Sequence, residues 1–344
     1  MTRTTPERPV DIEAMFPELT GYRRTSTRLH PRSGSAKPEE NSVAGPLLWP
    51  ADEPWPMCHA VHEKGRGLRL ADVRLERRIR DEVGRSDPQR GLSDEERELL
   101  VNLREPRLHA PELLDTDPIP LLTAAQLFAR DVPDLIGPEG YDLLQVLWCP
   151  FEVHAPGRAM DVVLKWRRSQ DVTEILTDIP EPVVVGRAEC VPNPCVLDPE
   201  QVVEHEWPEL LSEELQEGIE AWEEELLDAA EENGTERPEG AAYELDYVGD
   251  LSIAPGWKVG GFATWGLTGP ARIDCSCGTA MRPLLTVSDR EWDRGSMSWV
   301  PLEDRETMSA RGANDPTGVY VGRGQMRVFT CPADPTHPHQ LNFQ

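Results

Sequence analysis

Three short stretches of this chain occur twice, in the same order. SVAGPLLWP at 42–50 resembles KVGGFATWG at 258–266, PLLTAAQL at 120–127 resembles PLLTVSDR at 283–290, and LQVLWCP at 144–150 resembles MRVFTCP at 326–332. Each match is short, but their shared order points to an ancient duplication, with halves near residues 30–180 and 245–344. A chain of this kind is expected to build two related β units.

The repeated pieces read as strands. DLLQVLWCPFEV and QMRVFTC are rich in β-branched, aromatic and leucine residues and are bounded by Gly or Pro, and PVVVG at 182–186 adds a further short strand. Gly45, Gly260 and Gly261 interrupt this pattern where the backbone must bend or another group must come close. The 33 prolines and a hydrophobic share of 38% favour many short elements over a helical bundle. The expected fold is mainly β (α+β), with internally duplicated β roll or sheet units and peripheral helical insertions.

The division that follows is an N-terminal lead-in over 1–30, then a first β half over 31–186 with a helical insertion at 64–110. An acidic helical insertion over 187–244 separates it from a second β half over 245–344. The whole is expected to form one compact pseudo-symmetric unit. In the first insertion, SDEERELLVNL begins with a capping box, Ser93 as N-cap and Glu96 three residues on, which predicts a helix over 93–104. In the second, Asp198, Pro199 and Gln201 mark a helix start. After Pro208, the residues Leu211, Leu215, Ile219, Trp222, Leu226 and Ala230 recur at helical spacing until Gly234, predicting an amphipathic helix over 209–232.

Charge narrows the partners. The formal net charge of -27 disfavours nucleic acid and anionic membrane surfaces, and no basic stripe interleaved with aromatics is present. From Glu204 to Glu239 there are fifteen acidic residues and one Arg, so the 204–239 insertion reads either as a solvated helix face or as a docking surface for a basic protein partner. The N-terminal MTRTTPERPVDIEAMF has no apolar run like a signal peptide, and no later segment approaches a membrane span. Seven cysteines is an odd number, which argues against a complete disulfide framework and for a reducing, cytoplasmic setting.

The cysteines carry the chemistry. In RIDCSCGTAM, Cys275 and Cys277 are too close to form an unstrained disulfide, and TCPADPTHPHQ downstream supplies Cys331, His337 and His339. Cys275, Cys277, Cys331 and His337, with His339 as substitute for the last, form a candidate tetrahedral Zn²⁺ site of structural type. The duplication directs attention to the first half as well, where Cys149 matches Cys331 and His154 matches His337. With Cys58 and His62 from WPMCHAVH, these form a second candidate site of Cys58, His62, Cys149 and His154. The alternative for the second set is two small core cysteines with exposed histidines. Cys190 and Cys195 in CVPNPC have no further ligand nearby and read as part of a proline-stiffened loop. No Gly-x-Ser-x-Gly elbow, Walker A loop or His-Glu-x-x-His helix occurs, so no catalytic residue is assigned. VGRGQMRV lacks the third glycine of a dinucleotide loop and reads as a hairpin turn. The ten tryptophans read as core residues.

Taken together, LHPRSG, GPLLWPADEPWPMC, LLQVLWCPF, GWKVGGFATW, CSCGTAMRPLLTV and RVFTCPADPTHPHQ resemble the YwqG-like family of bacterial proteins. The resemblance covers most of the chain outside residues 1–20 and the two helical insertions. It implies a mostly β, roll-like fold with an internal duplication, and no particular activity. Two departures stand out: Ala44-Gly45 replaces a pair of glycines, and Cys-x-Cys replaces a wider cysteine pair.

The function expected from these features is that of a non-enzymatic, zinc-stabilised cytoplasmic binding protein that neutralises or docks a basic partner, in the manner of an immunity protein. The competing readings are a metal-dependent hydrolase with an open zinc position and a scaffold subunit of a larger complex. Ligand count separates the first from the second: four protein ligands favour structure, three plus water favour catalysis.

Overall fold

The computed structural model describes residues 2–86, 91–104, 112–152, 154, 160–232, 245–310 and 312–344. Twelve strands carry the fold: β1 (Arg23–Arg28), β2 (Arg32–Ser33), β3 (Ser42–Val43), β4 (Leu122–Phe128), β5 (Leu143–Trp148), β6 (Val162–Arg167), β7 (Cys195–Val196), β8 (Glu200–His205), β9 (Lys258–Gly260), β10 (Arg282–Ser288), β11 (Gln325–Thr330) and β12 (Gln340–Phe343). They form two six-stranded sheets, ordered β8-β1-β9-β10-β11-β12 and β2-β7-β3-β4-β5-β6. All their pairings are antiparallel. Short two-residue ladders join 57–58 to 119–120 and 68–69 to 184–185. The β-rich α+β class expected from the strand patterns is the class observed.

The two sheets have the same internal order. Each strand of the first set (β1 to β6) corresponds to the strand six places later (β7 to β12). The register agrees too: Val43 faces Ala125 as Val259 faces Leu285, and Val146 faces Leu164 as Val328 faces Leu341. Both sheets shift register at the same point, between Thr123 and Ala125 on one side and between Pro283 and Leu285 on the other. The first strand of each half lies in the sheet of the other half, because β1 pairs with β9 and β7 pairs with β3. The crossings are Leu29-His30-Pro31 and Leu197-Asp198-Pro199, and the leucine amides reach the carbonyls of Trp257 and Asn41 at 2.8 and 3.4 Å.

Two of the three sequence echoes coincide with this correspondence, and one does not. The register sets Leu122, opposite Trp148, against Arg282, opposite Thr330. The PLLT match aligns Leu122 with Leu285 instead, so it is slipped by three residues. The side-chain period of a strand is two, so an odd slip exchanges its faces.

Burial follows the strand pattern. The main core lies between the sheets and takes Ala125, Leu127, Leu144, Val146 and Trp148 from one, and Leu285, Val287, Met326 and Val328 from the other. Each sheet also buries part of its outer face. Leu47, Trp49, Leu147 and Cys149 gather on one side, and Ala263, Trp265, Phe329 and Cys331 on the other. Strand β5 is therefore buried on both faces, which explains why LLQVLW reads as an almost continuous apolar run. Of the tryptophans, Trp49, Trp148, Trp257 and Trp299 are among the largest fully buried side chains.

Gly261 shows why small residues stand at this point of the second half. A Cβ there would lie 2.2 Å from Oε2 of Glu204. That carboxylate is fully buried and accepts hydrogen bonds from Lys258 Nζ at 2.6 Å, Ser26 Oγ at 2.7 Å and the amides of Ala254 and Phe262. Gly260, before it, has φ +75°, and the residue at the matching place in the first half is Ala44, which is held at φ +50°.

Helices lie outside the sheets: α1 (Ile12–Met15), α2 (Leu70–Ser86), α3 (Asp94–Arg104) and α4 (Glu213–Glu232). The expected capping box is present, with Ser93 N donating to Glu96 Oε2 at 2.7 Å and Glu96 N donating to Ser93 Oγ at 3.1 Å. Helix α2 falls within the insertion expected to be helical over 64–110, although its own bounds are not marked in the sequence. It anchors through Arg77, whose guanidinium donates to the carbonyls of Val191, Ala188 and Gly318 and to Asn193 Oδ1. In α4 the stripe is buried at Leu215 and Ile219, but Leu226 and Leu227 are exposed, so its C-terminal part extends past the core. Gly234 and residues 233–239 of the acidic insertion lie outside the described residues, as does the side chain of Ala230.

The helix start expected at Asp198, Pro199 and Gln201 is corrected. Those residues lead into β8, where Val202 and Val203 face Ser26 and Thr25 of β1. Pairing along a whole strand outweighs a local capping pattern. Segments 1–30 and 187–244, which read as a lead-in and an insertion, thus contain β1, β7 and β8, all integral to the sheets. Cys190 and Cys195 are both buried, and Cys195 sits in β7 rather than in a loop.

Candidate metal centres

Cys149 directly follows β5, and Cys331 directly follows β11. A donor group gathers around each one. Cys58, His62, Cys149 and His154 form one group, Cys275, Cys277, Cys331 and His337 the other, and within each group the ligand atoms all lie within 4.8 Å of one another. Both sets anticipated from the sequence are therefore assembled, and either can hold a metal ion.

In the first group, Sγ of Cys58 lies 3.3 Å from His62 Nε2 and 3.8 Å from His154 Nε2, and Sγ of Cys149 lies 3.4 Å from His62 Nε2. The ladder joining 57–58 to 119–120 fixes Cys58, while His62 N donates to Asp115 O at 3.0 Å. The His62 ring stacks on Phe151 with centroids 4.6 Å apart. Its Nδ1 is buried with no hydrogen-bond partner among the described residues, so the ring is held by this stack and by the thiol contacts at Nε2. The alternative of exposed histidines does not hold for His62, which is fully buried. The neighbouring Cys149 thiol pulls the Cys58 thiol down to about 5, and Cys149 is pushed up in return by that bond and by its burial.

The second group is built on a tight hairpin. Cys275 N donates to Thr279 O at 2.9 Å and Gly278 N to Cys275 O at 2.8 Å, and Gly278 takes φ +86° to close the turn. This folds Cys275 and Cys277 towards Cys331. Sγ of Cys277 lies 3.6 Å from Sγ of Cys331, and Sγ of Cys275 lies 3.3 Å from His337 Nδ1. The other ring nitrogen of His337 lies 3.7 Å from Asp334, whose Oδ1 is held by the amide and hydroxyl of Thr336. That separation is longer than a hydrogen bond, so Asp334 stands beside the imidazole as a charged neighbour. Asp334 was missed in the sequence reading, although it stands three residues before His337 in the same motif. His339 is not part of the group; its half-buried ring meets the backbone of Val162 in β6, and burial lowers its pKa.

These distances suit a tetrahedral ion. Thiolates at about 2.3 Å and imidazoles at about 2.0–2.1 Å from zinc place neighbouring donors roughly 3.5–3.8 Å apart. The groups differ in exposure: Cys58, His62 and Cys149 are buried, whereas Cys277 faces solvent. They differ also in one donor, because His62 stands where the second half uses Cys277. Each group supplies four protein donors, which fills a tetrahedral shell.

Among the described residues, no helix is long and apolar enough to cross a membrane. No family model matches the chain, and no curated protein does.

Proposed function

We propose that this chain is a non-enzymatic cytoplasmic binding protein, stabilised by two structural zinc ions, that docks a basic protein partner through the acidic face of its 204–239 insertion. The observation that carries the zinc part is the assembly of four Cys and His donors at equivalent strand ends in both halves. Four donors leave no position for a substrate or an activated water, which favours structure over hydrolysis. The matched strand order and the shared register shift support descent by internal duplication, with one metal clip retained by each half.

Support for the partner comes from α4. Glu213, Glu214, Glu217, Glu220, Glu224 and Glu225 are exposed, and none forms a salt bridge with a described residue. Such a row sets up a negative field that speeds encounter with positive surfaces and weakens as the Debye length falls from ~10 Å at 0.1 M salt to ~3 Å at 1 M. The exposed Leu226 and Leu227 beside it add apolar area for a docked surface. The test is a pull-down from the native host, followed by association rates for the captured protein over a salt series. A basic partner whose association slows with salt, and slows again with Glu217→Gln, Glu220→Gln and Glu224→Gln together, supports the reading. An acidic partner, or rates indifferent to salt and to the three substitutions, refutes it.

A further inference from the structure

In the first half, the outer face of the sheet is closed by the chain itself. The indole of Trp55 lies 4.9 Å from that of Trp49, ring centre to ring centre, and its Nε1 donates to Leu121 O at 2.9 Å. Leu47, Trp49, Leu121 and Leu147 pack around it in one cluster. The equivalent residues of the second half are Ala263, Trp265, Met281 and Phe329, and there Ala271-Arg272-Ile273 stands where the first half has Pro54-Trp55-Pro56, because Met281 N donates to Ile273 O as Leu121 N donates to Pro56 O. No indole fills the space. All four of those residues, with Ala271, instead line a cleft of about 690 Å³.

The rim is cationic, in a chain whose net charge is -27. Arg24, Arg272 and Arg282 line the cleft against a single carboxylate, Glu206. Arg272 is already paired with Asp274 at 2.7 Å. Arg24 and Arg282 are exposed and form no salt bridge with a described residue, and Arg24 lies 4.5 Å over the Phe262 ring. Partial burial, and next the neighbouring Arg282, hold the Arg24 guanidinium below its usual pKa. An anion placed between the two would relieve that repulsion, and guanidinium groups match carboxylates in geometry as well as charge.

We propose that this cleft binds a small aromatic acid, its ring taking the place that Trp55 fills in the first half and its carboxylate lying between Arg24 and Arg282. The volume lies within the range of pre-formed small-molecule sites, which are mostly apolar with a few placed polar groups. The ring contributes burial against Trp265, Met281 and Phe329, and the two arginines set the orientation. The proposal is independent of the metal centres and of the acidic face of α4.

Calorimetric titration of the full chain with indole-3-propionate tests it, with 3-methylindole and tryptamine as the neutral and cationic counterparts. The expected result is one acid per chain, with the neutral compound weaker and the cation weakest. Arg282→Gln should raise the Kd of the acid by about tenfold, since it removes a charge-assisted contact, and leave 3-methylindole unchanged. Arg272→Trp, which supplies the missing indole, should abolish binding of all three while keeping the melting temperature at or above that of the parent. Should Arg272→Trp fail to fold, Arg24→Gln with Arg282→Gln carries the same decision. The proposal is overturned if millimolar acid does not bind, if 3-methylindole binds as tightly as the acid, or if the folded variants bind the acid like the parent.

Discussion

Cys149 and Cys331 stand at the same point of two different sheets. Each is the first residue after the strand that faces the shifted register, each is fully buried, and each brings its thiol within 3.4–3.6 Å of another metal-ligating donor. A metal held by each group would therefore clip the loops of each half to the end of the equivalent strand, β5 or β11. Replacing Cys149 or Cys331 by Ser should lower the melting temperature substantially, because metal bound only in the folded state contributes its binding free energy to folding. A chelator should lower the parent's melting temperature and change each variant less. Thermal scans with and without chelator decide this, and identical curves for parent and variants would speak against both clips.

The backbone at Ala44 gives a second prediction. Its φ of +50° is matched by +75° at Gly260, so the first half pays with an alanine for a conformation that the second half assigns to glycine. The left-handed region costs a non-glycine residue about 1–2 kcal/mol, and glycine returns part of that gain through the entropy of the unfolded chain. Ala44→Gly should raise stability by roughly 0.5–1 kcal/mol. Gly261→Ala should lower it sharply, because its methyl meets the Glu204 carboxylate. Denaturant midpoints measure both, and a destabilised Ala44→Gly would contradict the equivalence of the two turns.

The Lys258–Glu204 pair gives a third. Both side chains are at most 2% exposed, and Glu204 also holds the amides of Ala254 and Phe262. Removing one charge leaves the other buried without compensation, so Lys258→Met should cost about 3–5 kcal/mol. The change of Lys258→Met with Glu204→Gln should cost less than the sum of the two single changes. Strict additivity in equilibrium unfolding would show that the two groups do not act as a pair.

Much of this was legible in the sequence, and the limits are physical. The Cys149 and Cys331 equivalence could be read because each cysteine ends an apolar strand pattern and precedes a proline. The donor sets followed from residue type together with the matching order of the sequence echoes. Three features escaped. Strand β8 carries Asp198-Pro199 before it, a pattern shared with helix starts, and only its pairing with β1 decides between them. The PLLT echo misleads because the register shift beside Ala124 and Leu284 lets a local match slip along the strand. The bounds of helix α2 went unmarked because it presents few apolar residues, Leu70 and Val73 among them, and is fixed by the Arg77 hydrogen bonds to distant carbonyls. None of these long-range contacts leaves a periodic mark in the sequence.

Acidity provides a fourth prediction. Glu291 is buried against Arg28, Arg32 and Asp315, and burial pushes its carboxyl up to about 7 despite both arginines. A carboxyl raised in the folded state favours the protonated form there. Its contribution is complete below the unfolded value near 4.5 and is lost as pH rises through about 7. Glu291→Gln should therefore gain on the parent as pH rises from 5 to 8, with the difference in denaturant midpoint widening across that interval. A difference that stays constant or narrows would contradict the burial of an ionisable group at this position.

The most direct test of the account is the zinc content of the purified protein, measured by elemental analysis in the parent and in Cys149→Ser and Cys331→Ser. Two equivalent four-donor sites predict close to two zinc ions per parent chain and close to one in each variant. A parent chain without metal, or variants that keep the parent's content, would contradict it.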